Sequence, residues 1–198
     1  MFSNAKMFLK IGGISLTLFS ICIFFLNSNA VYCLNRLKEG QKIESFSLNT
    51  LNGDKLDINK YLDGKNVGII FWGIPEVDNY IDYSKEALKT LVKMYNEYKN
   101  NDLQIIAIYC PHEDEAVTEK EKGEIYKLVN ELDISFPVLL DSELKVFDKF
   151  GVVAVPSFVL IDKSGIVKYI LPGYPPYSAE KDIKKEIKYI LNVDKMGS

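Results

Sequence analysis

Two runs of apolar residues, Val67–Trp72 and Leu103–Tyr109, decide most of what this chain can fold into. Each has the length of a strand, neither alternates cleanly between apolar and polar, and the first is bounded by Gly64 and Gly73. Both therefore read as strands buried on their two faces. Such strands need cover above and below, and the intervening segments supply it. Leu88, Leu91, Val92, Tyr95 and Tyr98 recur at three- and four-residue spacing up to Asn100-Asn101, which predicts a helix between the two strands. The same period over Glu121–Leu132 puts Ile125, Leu128, Val129 and Leu132 on one helix face.

The remaining elements follow from shorter signals. Phe46-Ser47-Leu48 and Leu56-Asp57-Ile58 alternate apolar with polar around Asn52-Gly53, a strong β-hairpin signature. Phe136–Leu140 predicts a short strand and Glu143–Phe150 a helix. Ser157–Ile161 pairs across the Asp162–Gly165 turn with Ile166–Leu171, and Ser178–Leu191 closes the domain as a helix with Ile183, Ile187, Ile190 and Leu191 inward.

The chain's beginning has a different character. Lys6 and Lys10 precede an apolar run from Ile11 to Leu26, about 24 Å long if helical and short of the roughly 20 residues that span a bilayer comfortably. Ser28-Asn29-Ala30 offers a small-x-small cleavage pattern, while the flanking Met7-Phe8-Leu9 and Val31–Leu34 would lengthen a tilted span. Residues 1–30 thus read as a signal peptide or an N-terminal membrane anchor, 31–42 as a linker, 43–192 as one domain and 193–198 as a tail. In either case the basic end stays inside and the domain is exported. It then lies at the cell membrane on the extracytoplasmic face, or is secreted if the signal is cleaved. Three of the 24 basic side chains and none of the 27 acidic ones fall in residues 1–36, leaving 21 basic against 27 acidic in the rest. A nucleic-acid partner is excluded on that balance, since phosphate binding needs a basic stripe.

The stretches Gly53–Gly64 (GDKLDINKYLDG), Phe136–Asp141 (FPVLLD) and Phe150–Gly165 (FGVVAVPSFVLIDKSG) resemble the membrane-tethered TlpA/ResA branch of the thioredoxin superfamily, a redoxin group related to AhpC/TSA proteins. Spacing alone leaves a flavodoxin-like order open. The resemblance implies a thioredoxin-like α/β fold, with a central mixed sheet flanked by helices, an N-terminal β-hairpin and a cis-proline at Val155-Pro156. It also implies extracytoplasmic thiol-disulfide redox homeostasis, with protein thiols or extended polypeptides as partners, the membrane engaged through the N-terminal segment, and no cofactor.

One feature of that branch is missing. Its members open their first helix with FWxxWCxxC, and laying Phe71-Trp72 on that pattern puts Glu76 and Asn79 at the two cysteine positions. Pro75, Glu76 and Asp78 suit the first turn of a helix, where carboxylates oppose the positive end of the dipole. No histidine or second acidic cluster stands at ligand spacing from them, so no metal site is expected. A peroxidase reading fails because residues 73–100 lack cysteine and Arg36 lies in the linker.

Three cysteines remain: Cys22 in the apolar run, Cys33 in the linker and Cys110 after the second buried strand. Cys110 is two residues from His112, the sole histidine of the chain, and a thiolate-imidazole pair there is the candidate for single-thiol chemistry. Against it, Glu113, Asp114 and Glu115 disfavour a thiolate, and a buried inert cysteine is the plainer reading. A Cys33–Cys110 disulfide is a further alternative in an oxidising compartment. Trp72 and Val155 are candidate groove residues. Gly173-Tyr174-Pro175-Pro176-Tyr177 offers an aromatic, proline-rich loop for peptide contact, although Trp72 as a core filler and the loop as a plain turn explain the same residues.

Overall fold

A computed structural model describes residues 36–74, 83–112 and 116–196. Leu37 onward forms one compact unit. Its elements are β1 (Ser47–Thr50), β2 (Lys55–Asp57), α1 (Ile58–Leu62), β3 (Asn66–Trp72), α2 (Tyr83–Tyr98), β4 (Leu103–Tyr109), α3 (Glu119–Glu131), β5 (Val138–Leu140), α4 (Lys145–Lys149), β6 (Ser157–Ile161), β7 (Val167–Leu171) and α5 (Ala179–Met196).

The strands make one seven-stranded mixed sheet in the order β2-β1-β5-β4-β3-β6-β7. β3 pairs in parallel with β4, and β4 with β5, whereas β6 runs antiparallel to β3 and β7 antiparallel to β6. All seven residues of β3 are buried. Its side chains divide by parity, as a strand's must. Ile70 and Trp72 join Ile105, Tyr109, Phe158 and Leu160 on the face packed by Leu88 and Leu91 of α2 and by Ile183 and Ile187 of α5. Val67, Ile69 and Phe71 join Ile106, Ile108 and Cys110 on the face packed by Ile58 and Leu62 of α1 and by Val146 and Phe150. Each large side chain buried in this way contributes about 1.5–3 kcal/mol, so these two layers hold the molecule together.

Gly68 is the one position of β3 where a side chain could not be placed. A Cβ there would lie 2.8 Å from Ile105 Cδ1 and 2.9 Å from Phe158 Cε2. The neighbouring strands fill the space a methyl would need.

Several boundaries differ from the sequence reading. Ile58 opens helix α1 instead of ending a strand, because Asp57 caps that helix, its carboxylate accepting from Asn59 N at 2.9 Å and Lys60 N at 3.4 Å. α3 starts at Glu119, two residues early, on a Thr118/Glu121 capping box. α4 begins only at Lys145, after Leu144 in the left-handed region at φ 51°. The final helix runs on through residues 193–196, which the sequence had assigned to a tail.

The largest difference concerns residues 37–42, expected to be a linker. They lie along the open edge of β7: Gly40 N donates to Val167 O at 2.8 Å, Val167 N to Gln41 O at 2.8 Å and Ile43 N to Gly165 O at 2.9 Å. Lys42 bridges Ile166 in antiparallel sense, and the Glu39 carboxylate accepts from Ile170 N at 3.3 Å. Unpaired edge donors and acceptors draw a polar segment into the sheet whatever its side chains.

Candidate functional site

The parallel strands β3, β4 and β5 end on the same side of the sheet, and β6 begins there. Strand ends of this kind are where open α/β sheets collect ligands. Phe71 stands opposite Ser157, so Pro156 falls beside the end of β3. The Val155–Pro156 peptide bond is cis. Gly73, the residue after β3, is held between its neighbours: a Cβ on it would be 3.0 Å from Cys110 O and 3.5 Å from Val155 Cγ2. Its N–H reaches Ser84 Oγ, in the first turn of α2, at 3.4 Å. The ends of β3 and β4, the proline loop and the start of α2 therefore meet around one glycine.

Glu76 and Asn79, at the positions where the resemblance expects cysteines, lie outside the described residues, as do Cys22 and Cys33. Cys110 lies at the meeting point but is turned inward. It is only 5% exposed, its thiol is not in a disulfide, and its S–H donates to Ile108 O at 3.8 Å. Burial pushes its pKa well up, and the nearby Asp141 carboxylate pushes it further, against a smaller opposing hydrogen bond with the Trp72 backbone. The burial fits the plainer of the two readings, an inert cysteine, because the nucleophile is the thiolate and both burial and the nearby carboxylate oppose it. His112, two residues further on, is exposed at the surface.

Trp72 is likewise a core residue and not a groove wall. It is wholly buried, with its ring edge-on to Tyr109 at 5.2 Å, and its indole N–H has no hydrogen-bond partner among the described residues. Tyr109 in turn donates to Glu121 Oε1 at 3.0 Å, which ties the end of β4 to the first turn of α3.

Asp141 was missed as a site residue, although the sequence shows an acid closing an apolar strand. It is 1% exposed, and its Oδ2 accepts from Phe147 N at 2.7 Å. Burial raises its pKa although backbone N–H groups of Phe147, Val146 and Lys145 pull the other way.

Among the described residues, the proline loop and the loop after β7 present apolar side chains to solvent. Val153 is 66% and Val155 40% exposed, with Ala154 exposed between them. The loop after β7 carries exposed Pro175 and Pro176 and a fully exposed Tyr177. Its Tyr174 is anchored, the hydroxyl lying 2.7 Å from Thr90 Oγ1 of α2. Among the described residues no group of His, Cys, Asp and Glu could hold a metal ion.

Comparison with known proteins adds a family. The AhpC/TSA family model matches residues 40–170, more than half of the chain. The chain belongs to the AhpC/TSA family. Within the redoxins, it is 30% identical over 136 residues to the thiol-disulfide oxidoreductase ResA of Halalkalibacterium halodurans, covering 69% of each chain. It is 29% identical over 150 residues to protein DipZ of Mycobacterium bovis, covering 76% of this chain but 20% of that one. Among solved structures, a Chlorobium tepidum protein described as a thiol:disulfide interchange protein DsbE superposes with a TM-score of 0.64 at 21% identity, over 78% of this chain and 99% of that one. That likeness speaks for the thioredoxin-like fold. The likeness to ResA, a thiol-disulfide oxidoreductase, supports a redox setting with protein thiols as its chemistry.

Proposed function

We propose that this redoxin is exported and tethered at the membrane, has kept the groove of its family and lost the dithiol, and binds extended polypeptides in extracytoplasmic thiol-disulfide homeostasis. The reading rests on one contrast. The single described cysteine is buried and held as a thiol, while Val153 and Val155 beside Pro156 are open to solvent. To reduce a disulfide and release the product unaided, a protein needs a second thiolate that resolves the mixed disulfide, and a lone thiol must borrow one from an external thiol. No two cysteines of this chain stand at Cys-x-x-Cys spacing. An extended chain, by contrast, needs only exposed backbone and alternate apolar contacts, which a loop at a strand end supplies.

Export rests on the basic start and the apolar run Ile11–Leu26, which lie outside the described residues. Among the described residues no helix is long and apolar enough to cross a membrane.

The test pairs two assays on the full chain. In the first, insulin disulfide reduction with a thiol reductant should proceed no faster than without protein. In the second, reduced and carboxymethylated α-lactalbumin, a permanently unfolded polypeptide with no thiol to exchange, should bind saturably and lose affinity with Val155→Asp. Rapid insulin reduction that disappears in Cys110→Ser would overturn the proposal in favour of single-thiol catalysis.

A further inference from the structure

The two exposed loops of the site are joined through one side chain. Ser157, the first residue of β6, is 4% exposed. Its hydroxyl donates to Ala154 O at 2.7 Å and accepts from Gly173 N at 3.2 Å. Ala154 belongs to the exposed stretch Val153–Val155, and Gly173 lies in the loop after β7 that carries Tyr177. A serine hydroxyl has one proton to give and lone pairs to receive, and both capacities are used here. The second loop is then fixed to α2 by the Tyr174–Thr90 pair. One chain of hydrogen bonds therefore runs from the proline loop through Ser157 to the loop after β7, whose next residue is held on α2.

We infer that Ser157 is a positioning residue for the polypeptide-binding site, holding Val153, Val155 and the Tyr177 loop as one preformed apolar rim. This rests on the binding function proposed above and names its ligand class: an extended segment with apolar side chains, read by two loops at once. The physical reason is the cost of ordering. A rim already fixed in the unbound protein does not have to be immobilised on binding, and that saving appears as affinity. Removing the hydroxyl leaves Ala154 O on an exposed residue and Gly173 N on a half-exposed one, so water can replace both bonds. The fold then loses little, while the loops lose their common reference point.

The experiment compares full-length wild type, Ser157→Ala, Ser157→Thr and Val155→Asp for binding of reduced, carboxymethylated α-lactalbumin. Thermal midpoint and amide exchange at Gly173 are measured on the same samples. The expected result is about tenfold weaker binding for Ser157→Ala with a nearly unchanged midpoint, faster exchange at Gly173, and recovery in Ser157→Thr, which restores the hydroxyl. If Val155→Asp weakens binding but Ser157→Ala binds like wild type despite faster exchange at Gly173, the positioning role is wrong and the binding site stands. If wild type does not bind the probe, both fall together. Should Ser157→Ala fail to fold, Ser157→Cys, which keeps the size of the side chain and weakens both hydrogen bonds, is read by the same criteria. Wild-type affinity with faster exchange at Gly173 in that variant overturns the inference.

Discussion

A cysteine attacks only after it gives up its proton, and Cys110 sits where that is disfavoured. Burial and the Asp141 carboxylate both push its pKa up. Cys110 in the native protein near pH 8 should therefore react with iodoacetamide more slowly than a model thiol of pKa about 8.5, followed at that residue by peptide mapping, and unfolding in guanidinium should restore the ordinary rate. Asp141 itself gives a second prediction. Its folded-state pKa lies above its unfolded value because of burial. The folded state therefore binds a proton that the unfolded state has released, and stability falls as pH rises from about 4 toward the folded-state value. Asp141→Asn keeps an acceptor for Phe147 N without the charge. Denaturant titrations should show that variant at least as stable as wild type at pH 7, with the fall above pH 4 reduced. Gly68→Ala is the steric counterpart at this scale. Its methyl meets Ile105 and Phe158 inside 3.0 Å, so the urea midpoint should drop by the equivalent of about 1–3 kcal/mol.

Helix α3 shows how a local signal fixes an element. Thr118 Oγ1 accepts from Glu121 N at 3.2 Å while the Glu121 carboxylate accepts from Thr118 N at 2.8 Å, and the same carboxylate takes the Tyr109 hydroxyl. One acid thus caps the helix and ties it to β4. Thr118→Ala should cost about 1 kcal/mol, read as a lower unfolding midpoint by circular dichroism. The Glu121 carboxyl is held below its usual pKa, first by the hydrogen bond from the Thr118 backbone. Its share of stability is present above the unfolded carboxylate range and is lost as pH falls through the folded value. The Thr118 hydroxyl also donates to that carboxylate, at 2.7 Å, so the share of the Thr118→Ala penalty that comes from this bond should shrink in acid. This start was hard to place from sequence because residues 119–121 continue the polar face, and helical periodicity becomes visible only at Ile125.

Across the whole molecule, what was legible followed from burial. β3 and β4 announce themselves because a strand covered on both faces must be apolar throughout, and α2 and α5 because one face of each must be. Elements that rest on hydrogen bonds were missed: α1 depends on the Asp57 cap, and the pairing of residues 37–42 uses backbone atoms that leave no mark on side-chain pattern. The cis geometry before Pro156 was legible only through family resemblance, and the inward turn of Cys110 is a matter of strand parity, clear once Phe71 and Ile108 are seen on the same face. Truncation measures the missed part. Protein starting at residue 43 should melt lower and scatter more light on heating than protein starting at residue 36, because the first exposes the β7 edge. The antiparallel seating of that segment has a mechanical corollary. Its contacts, Gly40 and Gln41 on Val167 and then Ile43 on Gly165, are strung in sequence, so tension from the amino-terminal side loads them one after another. The segment would peel like a zip and act as a fuse, giving way before any pull is felt by the sheet beneath.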